Sequence, residues 1–277
     1  MFGPQTPMER VWRGCGRGRL EVVCLRFFNV LLGYDGHVHG ALPLSRPRNL
    51  MGPALVVGAS GGVGGALHSL LSKERRVVAV SSQARKSRDW FETDYSEDSL
   101  KKIADNMDSR FSLVFICGGF LHGEGIMPEK RLNDLSPRAM EMAFRKNAIM
   151  PSMILKNFRS HFEQIQPAHC AVLSARIGSI GDNRSGGWYS YRSSKAALNM
   201  IVKSTAIELK RTHKELCLVA MHPGTTESKL SDPFLKRGTH PSVKAEVTAR
   251  RLVDVVSGLG PEDSGGFFDW QGQNVKW

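Results

Sequence analysis

Cysteine is scarce and scattered in this sequence. The five residues (Cys15, Cys24, Cys117, Cys170 and Cys217) form no C-x-x-C pair, and their number is odd. That argues against a disulfide-stapled scaffold and fits free thiols in a reducing compartment. No metal-spaced His/Cys cluster and no H-E-x-x-H is present, so no metal is expected. No run of about 18 apolar residues occurs, as a membrane-spanning helix requires. Internal repeats at periods of about 20–50 residues are absent, which argues against a solenoid or propeller. What remains is an ordinary folded chain: 277 residues, 41% hydrophobic and 23% charged. A domain of that length buries roughly three quarters of its unfolded surface and needs no staple.

Acids are also in deficit. Lys and Arg number 38 against 26 Asp and Glu, a net charge of +12. Residues 1–50 hold seven Arg and three acids, and the rest holds 31 bases and 23 acids, so the excess divides as +4 and +8. A solvated basic surface explains this, with an anionic ligand as the alternative. No zinc spacing, aromatic RNA-binding signature or arginine-rich tract accompanies the charge, so nucleic acid is not expected as a partner.

Residues 1–50 read differently from the rest. They are rich in Arg and Gly, and Ser45 is their one serine. The apolar stretch Leu20–Leu32 is short and interrupted by Glu21, Arg26 and Asn29. A disordered extension is one reading and an organelle transit segment the other, although a transit segment should be Ser-rich. The expected compact domain is therefore residues 51–277, a single unit. The expected compartment is the cytoplasm, or a mitochondrion or plastid if residues 1–50 are a transit segment.

Beyond residue 51 the pattern alternates. Short apolar runs predict strands at Ala54–Val57, Val77–Val80, Leu113–Ile116, Ala171–Leu173, Leu216–Ala220 and Gly266–Trp270. Helical spacing marks Gly61–Ser72, Ser96–Asn106, Ala139–Phe162 with a bend at Pro151, Tyr191–Lys210 and Val243–Val256. Strands alternating with helices predict an α/β domain. Continuous apolar strands predict a mostly parallel sheet covered on both faces. Ligands of such sheets sit beyond the carboxyl ends of the strands.

Two motifs fall there. Gly58-Ala59-Ser60-Gly61-Gly62-Val63-Gly64 follows a strand and opens a helix. Glycines let backbone approach a pyrophosphate, and a helix N-terminus offers free N–H groups. The alternative is a plain tight turn. After the second strand, Ser81-Ser82-Gln83-Ala84-Arg85-Lys86 supplies hydroxyls and bases in place of the acid that would hold an NAD ribose. NADP(H) is thus the preferred cofactor, with NAD(H) the alternative. Further on, Tyr191 and Lys195 stand four apart on one helix face. An ammonium beside a phenol lowers its pKa and equips it to exchange a proton with a carbonyl or alcohol oxygen.

Together these residues resemble the short-chain dehydrogenase/reductase family over about residues 53–277. Within it, the Ser-Ala-Arg-Ile-Gly-Ser-Ile segment, the Tyr-Arg-Ser-Ser-Lys segment and Gly-Gly-Phe-Phe-Asp-Trp-Gln-Gly resemble the C-signal- and sniffer-type carbonyl reductases. The resemblance implies a Rossmann-like, doubly wound sheet with helices on both faces, and pairing into homodimers or homotetramers. It implies cofactor contacts from Gly58, Ser60, Gly62, Val63, Gly64, Ser81, Arg85, Asp94 (adenine), Gly118, Tyr191, Lys195, Pro223, Gly224 and Ser228. It also implies that Asn147 holds a water linked to Lys195.

The sequence departs from the family at three places. Val57 replaces a Thr, and Ile116-Cys117-Gly118-Gly119 replaces Asn-Asn-Ala-Gly. These two losses remove both sides of one polar contact, which is close to neutral. The third is at the catalytic serine, where counting back from Gly178 gives Ala175, one residue after Ser174. Either the turn is altered and Ser174 reaches the substrate, or the hydroxyl is missing; Ser179 is a further candidate. We take Ser174 as the carbonyl-oxygen donor. The expected activity is NADP-dependent interconversion of a carbonyl and an alcohol, with Tyr191, Lys195, Ser174 and Asn147 as catalytic residues. The alternative is a dinucleotide-binding signalling or interaction protein with little turnover.

Overall fold

The computed structural model describes residues 52–235 and 242–277. The reading of residues 1–50 as an extension or transit segment lies outside the described residues. Seven strands form one parallel sheet: β1 (Ala54–Val57), β2 (Val77–Ser81), β3 (Trp90–Glu92), β4 (Leu113–Ile116), β5 (Ala168–Leu173), β6 (Leu216–His222) and β7 (Phe267–Asp269). Their order is β3-β2-β1-β4-β5-β6-β7, a doubly wound, Rossmann-like arrangement. Order reverses after β1, so the crevice for a ligand lies above β1 and β4.

Strand alternation divides the core into two layers. Leu55 and Val57 of β1 pack with Leu100, Ile154, Leu198 and Val202 on one face. Ala54 and Val56 pack with Leu67, Leu71, Leu252 and Val256 on the other. The first set of helices comprises α2 (Glu97–Asp105), α4 (Met150–Phe158) and α5 (Tyr189–Leu209); the second comprises α1 (Gly62–Leu71) and α7 (Ala245–Gly258). Both layers need apolar residues, so the strands read as unbroken apolar runs. All four residues of β1 are at most 1% exposed, and full burial of a Val or Leu stabilises by about 1.5–3 kcal/mol.

Three features differ from the sequence reading. The edge strand β3 was not expected, because Trp90-Phe91-Glu92 is too short to show a pattern. β5 begins at Ala168, three residues earlier than expected; its inward His169 is accommodated by a hydrogen bond between Nε2 and Leu259 O (2.9 Å). The long helix expected over Ala139–Phe162 is interrupted. It comprises α3 (Pro137–Phe144), a π turn at Arg145–Ile149, and α4.

Proline chemistry accounts for the interruption. Pro151 has no N–H to donate to the carbonyl of Asn147, four residues back, and its ring crowds that carbonyl. The ladder widens instead, with Met150 N–H donating to Arg145 O. Such π turns recur at functional sites, and Asn147 lies within this one, fully buried.

Candidate active site

The glycine loop comes first. Gly58 has φ +85, and a Cβ there would meet the backbone of Cys117 at 3.3 Å. Gly64 is tighter still: a Cβ would stand 2.2 Å from Gly58 O. Only hydrogen fits, so the loop curls closely against the start of α1. The Gly64→Ala variant is expected to open this turn and raise the NADPH dissociation constant at least tenfold in a fluorescence titration, about 1.4 kcal/mol. Unchanged affinity would show that the turn is not a cofactor cradle. Gly62 faces the far side of the crevice, where its Cβ would meet Ser228 Cβ at 3.1 Å. Ser60 and Val63 are half-buried on the same loop.

The β2 loop is only partly as the sequence implied. Ser81 is fully buried, and its hydroxyl accepts the Gln83 N–H at 3.0 Å. That hydroxyl shapes the turn. Arg85 is exposed, and its guanidinium lies over the Trp90 ring at 4.4 Å. This cation–π contact holds the guanidinium beside the ring while the side chain stays exposed. Asp94 is exposed and accepts the Ser96 N–H at 2.8 Å, an interaction with Ser96 that holds its carboxyl below the usual range.

On the other side, Asn147 ties two elements together. Its Oδ1 accepts the Phe120 N–H (2.6 Å), and its Nδ2 donates to Phe120 O (2.8 Å) and Ser194 Oγ (3.0 Å). The loop after β4 is thereby fixed to α5, the helix bearing Tyr191 and Lys195. Lys195 is 2% exposed, and its Nζ donates to Leu173 O at 2.9 Å. Burial pushes the Lys195 ammonium down to about 8 and the Tyr191 phenol up to about 12. Burial therefore dominates both groups here, and the phenol remains protonated at neutral pH. Gly118 and Gly119 complete this wall; a Cβ at Gly119 would lie 3.8 Å from Lys195 Nζ.

Ser174 does not reach the crevice. It is 4% exposed, and its Oγ donates to Asn199 Oδ1 at 2.5 Å, on α5 one turn beyond Lys195. The reason is alternation: Cys170 and Val172 face the α5 layer, and Ser174 continues that row. The candidate donor is thus used in packing the strand end to the helix. Ala175, the next residue, remains extended (φ −150, ψ 142) and half-buried. It precedes the 3-10 turn Arg176–Gly178, which packs on Lys195 so closely that a Gly178 Cβ would sit 2.8 Å from Lys195 Cβ. Ser179 is 2% exposed, with its hydroxyl accepting the Asp182 N–H.

The β6 loop carries Pro223 and Gly224, with Gly224 at φ +76 and its α-carbon against the Trp270 ring. Arg251 covers that indole at 4.2 Å. His222, just before them, has its imidazole pushed down to about 4 by burial, which suits a packing role. Cys117 is no better suited to react, since burial pushes its thiol up to about 12.

Two residues near Trp188, Phe234 and His122, had no signal in the sequence. Phe234, on the short α6 (Asp232–Leu235), packs its ring 5.0 Å from Trp188 and 5.6 Å from His122. His122 Nε2 lies 3.1 Å from both Lys229 O and Leu230 O. The segment Leu230–Val243 is described only in part, since residues 236–241 lie outside the described residues. Among the described residues, no helix is long and apolar enough to cross a membrane.

Comparison with known proteins places this arrangement. No protein-family model matches the chain. The C-signal protein of Myxococcus xanthus is 34% identical over 146 residues, covering 53% of this chain and 83% of that protein. A 1-hydroxy-2-glutathionyl-2-methyl-3-butene dehydrogenase from Rhodococcus sp. (strain AD45) is 30% identical over 185 residues, covering 66% and 76%. Among solved structures, the carbonyl reductase Sniffer of D. melanogaster shares the fold at TM-score 0.70 and 20% identity, covering 82% of this chain and 100% of that one. An NADPH-bound carbonyl reductase from chicken fatty liver aligns at TM-score 0.67 and 20% identity, covering 81% and 98%. The chain belongs to the short-chain dehydrogenase/reductase family of oxidoreductases.

Proposed function

We propose that the protein is an NADP(H)-dependent carbonyl reductase in which Tyr191 is the proton donor. The observation that carries this reading is that Tyr191 and the buried Lys195 share the helix that Asn147 fixes through Ser194, beside a glycine loop with no room for a side chain at Gly64. The residues fit a dinucleotide: the cradle at Gly58–Gly64 would take the pyrophosphate, Asp94 the adenine, and Pro223, Gly224 and Ser228 the carboxamide. Lys195 would hold the nicotinamide ribose. Bound NADPH would supply the hydride. Tyr191, a phenol at neutral pH, gives its proton to the carbonyl oxygen. Lys195 stabilises the phenolate left behind. Asn147 holds the β4 loop against α5, and its own carbonyl, to which Pro151 cannot donate, can bind the water that leads protons in. Ser174 acts through Asn199 on the register of β5 and α5, and does not touch substrate.

The preference for NADPH rests on Arg85. A guanidinium held over the Trp90 ring presents a fork of donors that matches a 2′-phosphate. Arg85→Ala is expected to weaken NADPH about tenfold in a fluorescence titration and leave NADH unchanged. Equal weakening of both cofactors would contradict the assignment. The function itself is tested by following NADPH oxidation against a panel of aldehydes, ketones and quinones. NADPH binding with no turnover anywhere on the panel would favour a dinucleotide-binding signalling protein instead. That second reading draws on Ala175 and on the likeness to C-signal.

A further inference from the structure

Helix α5 has no cap of its own. Its N-cap residue is Trp188, whose side chain has no acceptor oxygen, and no side-chain cap hydrogen bond arises from it. The chain also reaches the helix through a strained turn. Gly186, Gly187 and Trp188 stand in succession in the left-handed region, at φ 60, 63 and 53. For a bulky residue such as Trp188 that conformation is strained. A strained approach and an uncapped first turn should leave Tyr191, the third residue of the helix, poorly fixed.

A residue from another loop supplies what is missing. Glu129 is 3% exposed. Its backbone carbonyl accepts the Trp188 N–H at 2.6 Å, and its Oε2 accepts the Ser190 N–H at 3.2 Å, across 61 positions of sequence. Ser190 Oγ donates to Oε1. A carboxylate is costly to bury unless its oxygens are satisfied. Here both are, and its charge lies at the positive end of a 21-residue helix.

The contact also completes a pattern. Asn147 pins the start of the β4 loop, at Phe120, to Ser194. Glu129 pins the end of the same loop to Ser190. Ser190 and Ser194 are one turn apart on α5, and Tyr191 stands between them. Tyr191, Ser190, Glu129 and Phe120 line one small cavity.

We infer that Glu129 is the positioning residue for Tyr191: it caps the catalytic helix from outside and fixes the phenol against the reacting carbonyl. This rests on the reductase reading above. A displacement of about 1 Å in a reacting group can cost up to a hundredfold in rate, so the expected signature is kcat lost with binding intact.

The test compares Glu129→Asp with Glu129→Gln, beside Tyr191→Phe. The Asp side chain keeps the charge but is one methylene short of Ser190. The Gln side chain keeps the reach and an acceptor oxygen. Glu129→Asp is expected to lower kcat about tenfold, with carbonyl KM and NADPH affinity unchanged. Glu129→Gln is expected to stay within about threefold of wild type. Wild-type turnover in Glu129→Asp beside an inactive Tyr191→Phe would overturn the inference alone. So would a Gln variant as impaired as Asp, or a loss of NADPH affinity matching the loss of kcat. An active Tyr191→Phe would overturn the reductase reading and this inference with it.

Discussion

Replacing Tyr191 by Phe is expected to lower kcat for carbonyl reduction by about 10²–10⁴-fold, the usual contribution of a positioned general acid. NADPH affinity should change little, because the ring and its packing against Trp188 are kept. The argument is one of protonation states. Burial holds the Tyr191 phenol near 12, so at neutral pH it carries the proton the carbonyl oxygen needs. Burial also brings Lys195 down to about 8. The lysine is therefore charged below about pH 8 and loses its charge above it, long before the phenol ionises. kcat/KM for reduction should accordingly fall as pH rises through about 8. A profile flat to pH 10 would show that the Lys195 charge is not used.

Much of the frame could be read from residues alone. Ala54-Leu55-Val56-Val57 and Leu113-Val114-Phe115-Ile116 are buried on both faces and could only be central strands. The helix expected over Ser96–Asn106 is α2, with Ser96 as its cap accepting the Ser99 N–H. What was missed obeys less local rules. β3 has three residues and exists because Trp90 fills a niche by α1, with its ring 5.4 Å from His68. The π turn is a consequence of Pro151, but its effect appears four residues upstream, where the sequence shows only Asn147.

The candidate site's glycine loop and Tyr191–Lys195 helix were legible as motifs, the orientations of the hydroxyls around them less so. Spacing alone placed Tyr191, Lys195 and the glycine loop. It could not say that Ser81 would turn inward to its own backbone, or that Ser174 would face Asn199. Both outcomes depend on where a strand ends, and a one-residue change in that point reverses a side chain. Glu129 had no local signal, because its partners lie 61 positions away. In sequence it is one acid in a loop that also carries Lys130 and Arg131, which reads as a solvated surface.

The inward turn of Ser174 leads to the second large effect. With its hydroxyl donated to Asn199, Ala175 presents a methyl group where the family resemblance places the catalytic serine. The carbonyl oxygen would then receive its hydrogen bond from Tyr191 alone. Removal of one such donor costs other enzymes about 10²–10³-fold in kcat. Ala175→Ser should recover a similar amount, and we expect a rise in kcat on the order of 100-fold. The backbone already permits it: Ala175 is extended at φ −150, a conformation serine adopts freely, and it is half-buried beside the turn that packs on Lys195. Carbonyl KM and NADPH affinity should stay near wild type, because the added bond strengthens as charge develops on the oxygen. A parallel Ser174→Ala should lower thermal stability, by leaving Asn199 without its hydroxyl, and should leave kcat in place. If Ala175→Ser gained nothing while Ser174→Ala lost the activity, the two roles would be exchanged. The strand end would then have to turn by one residue when substrate binds.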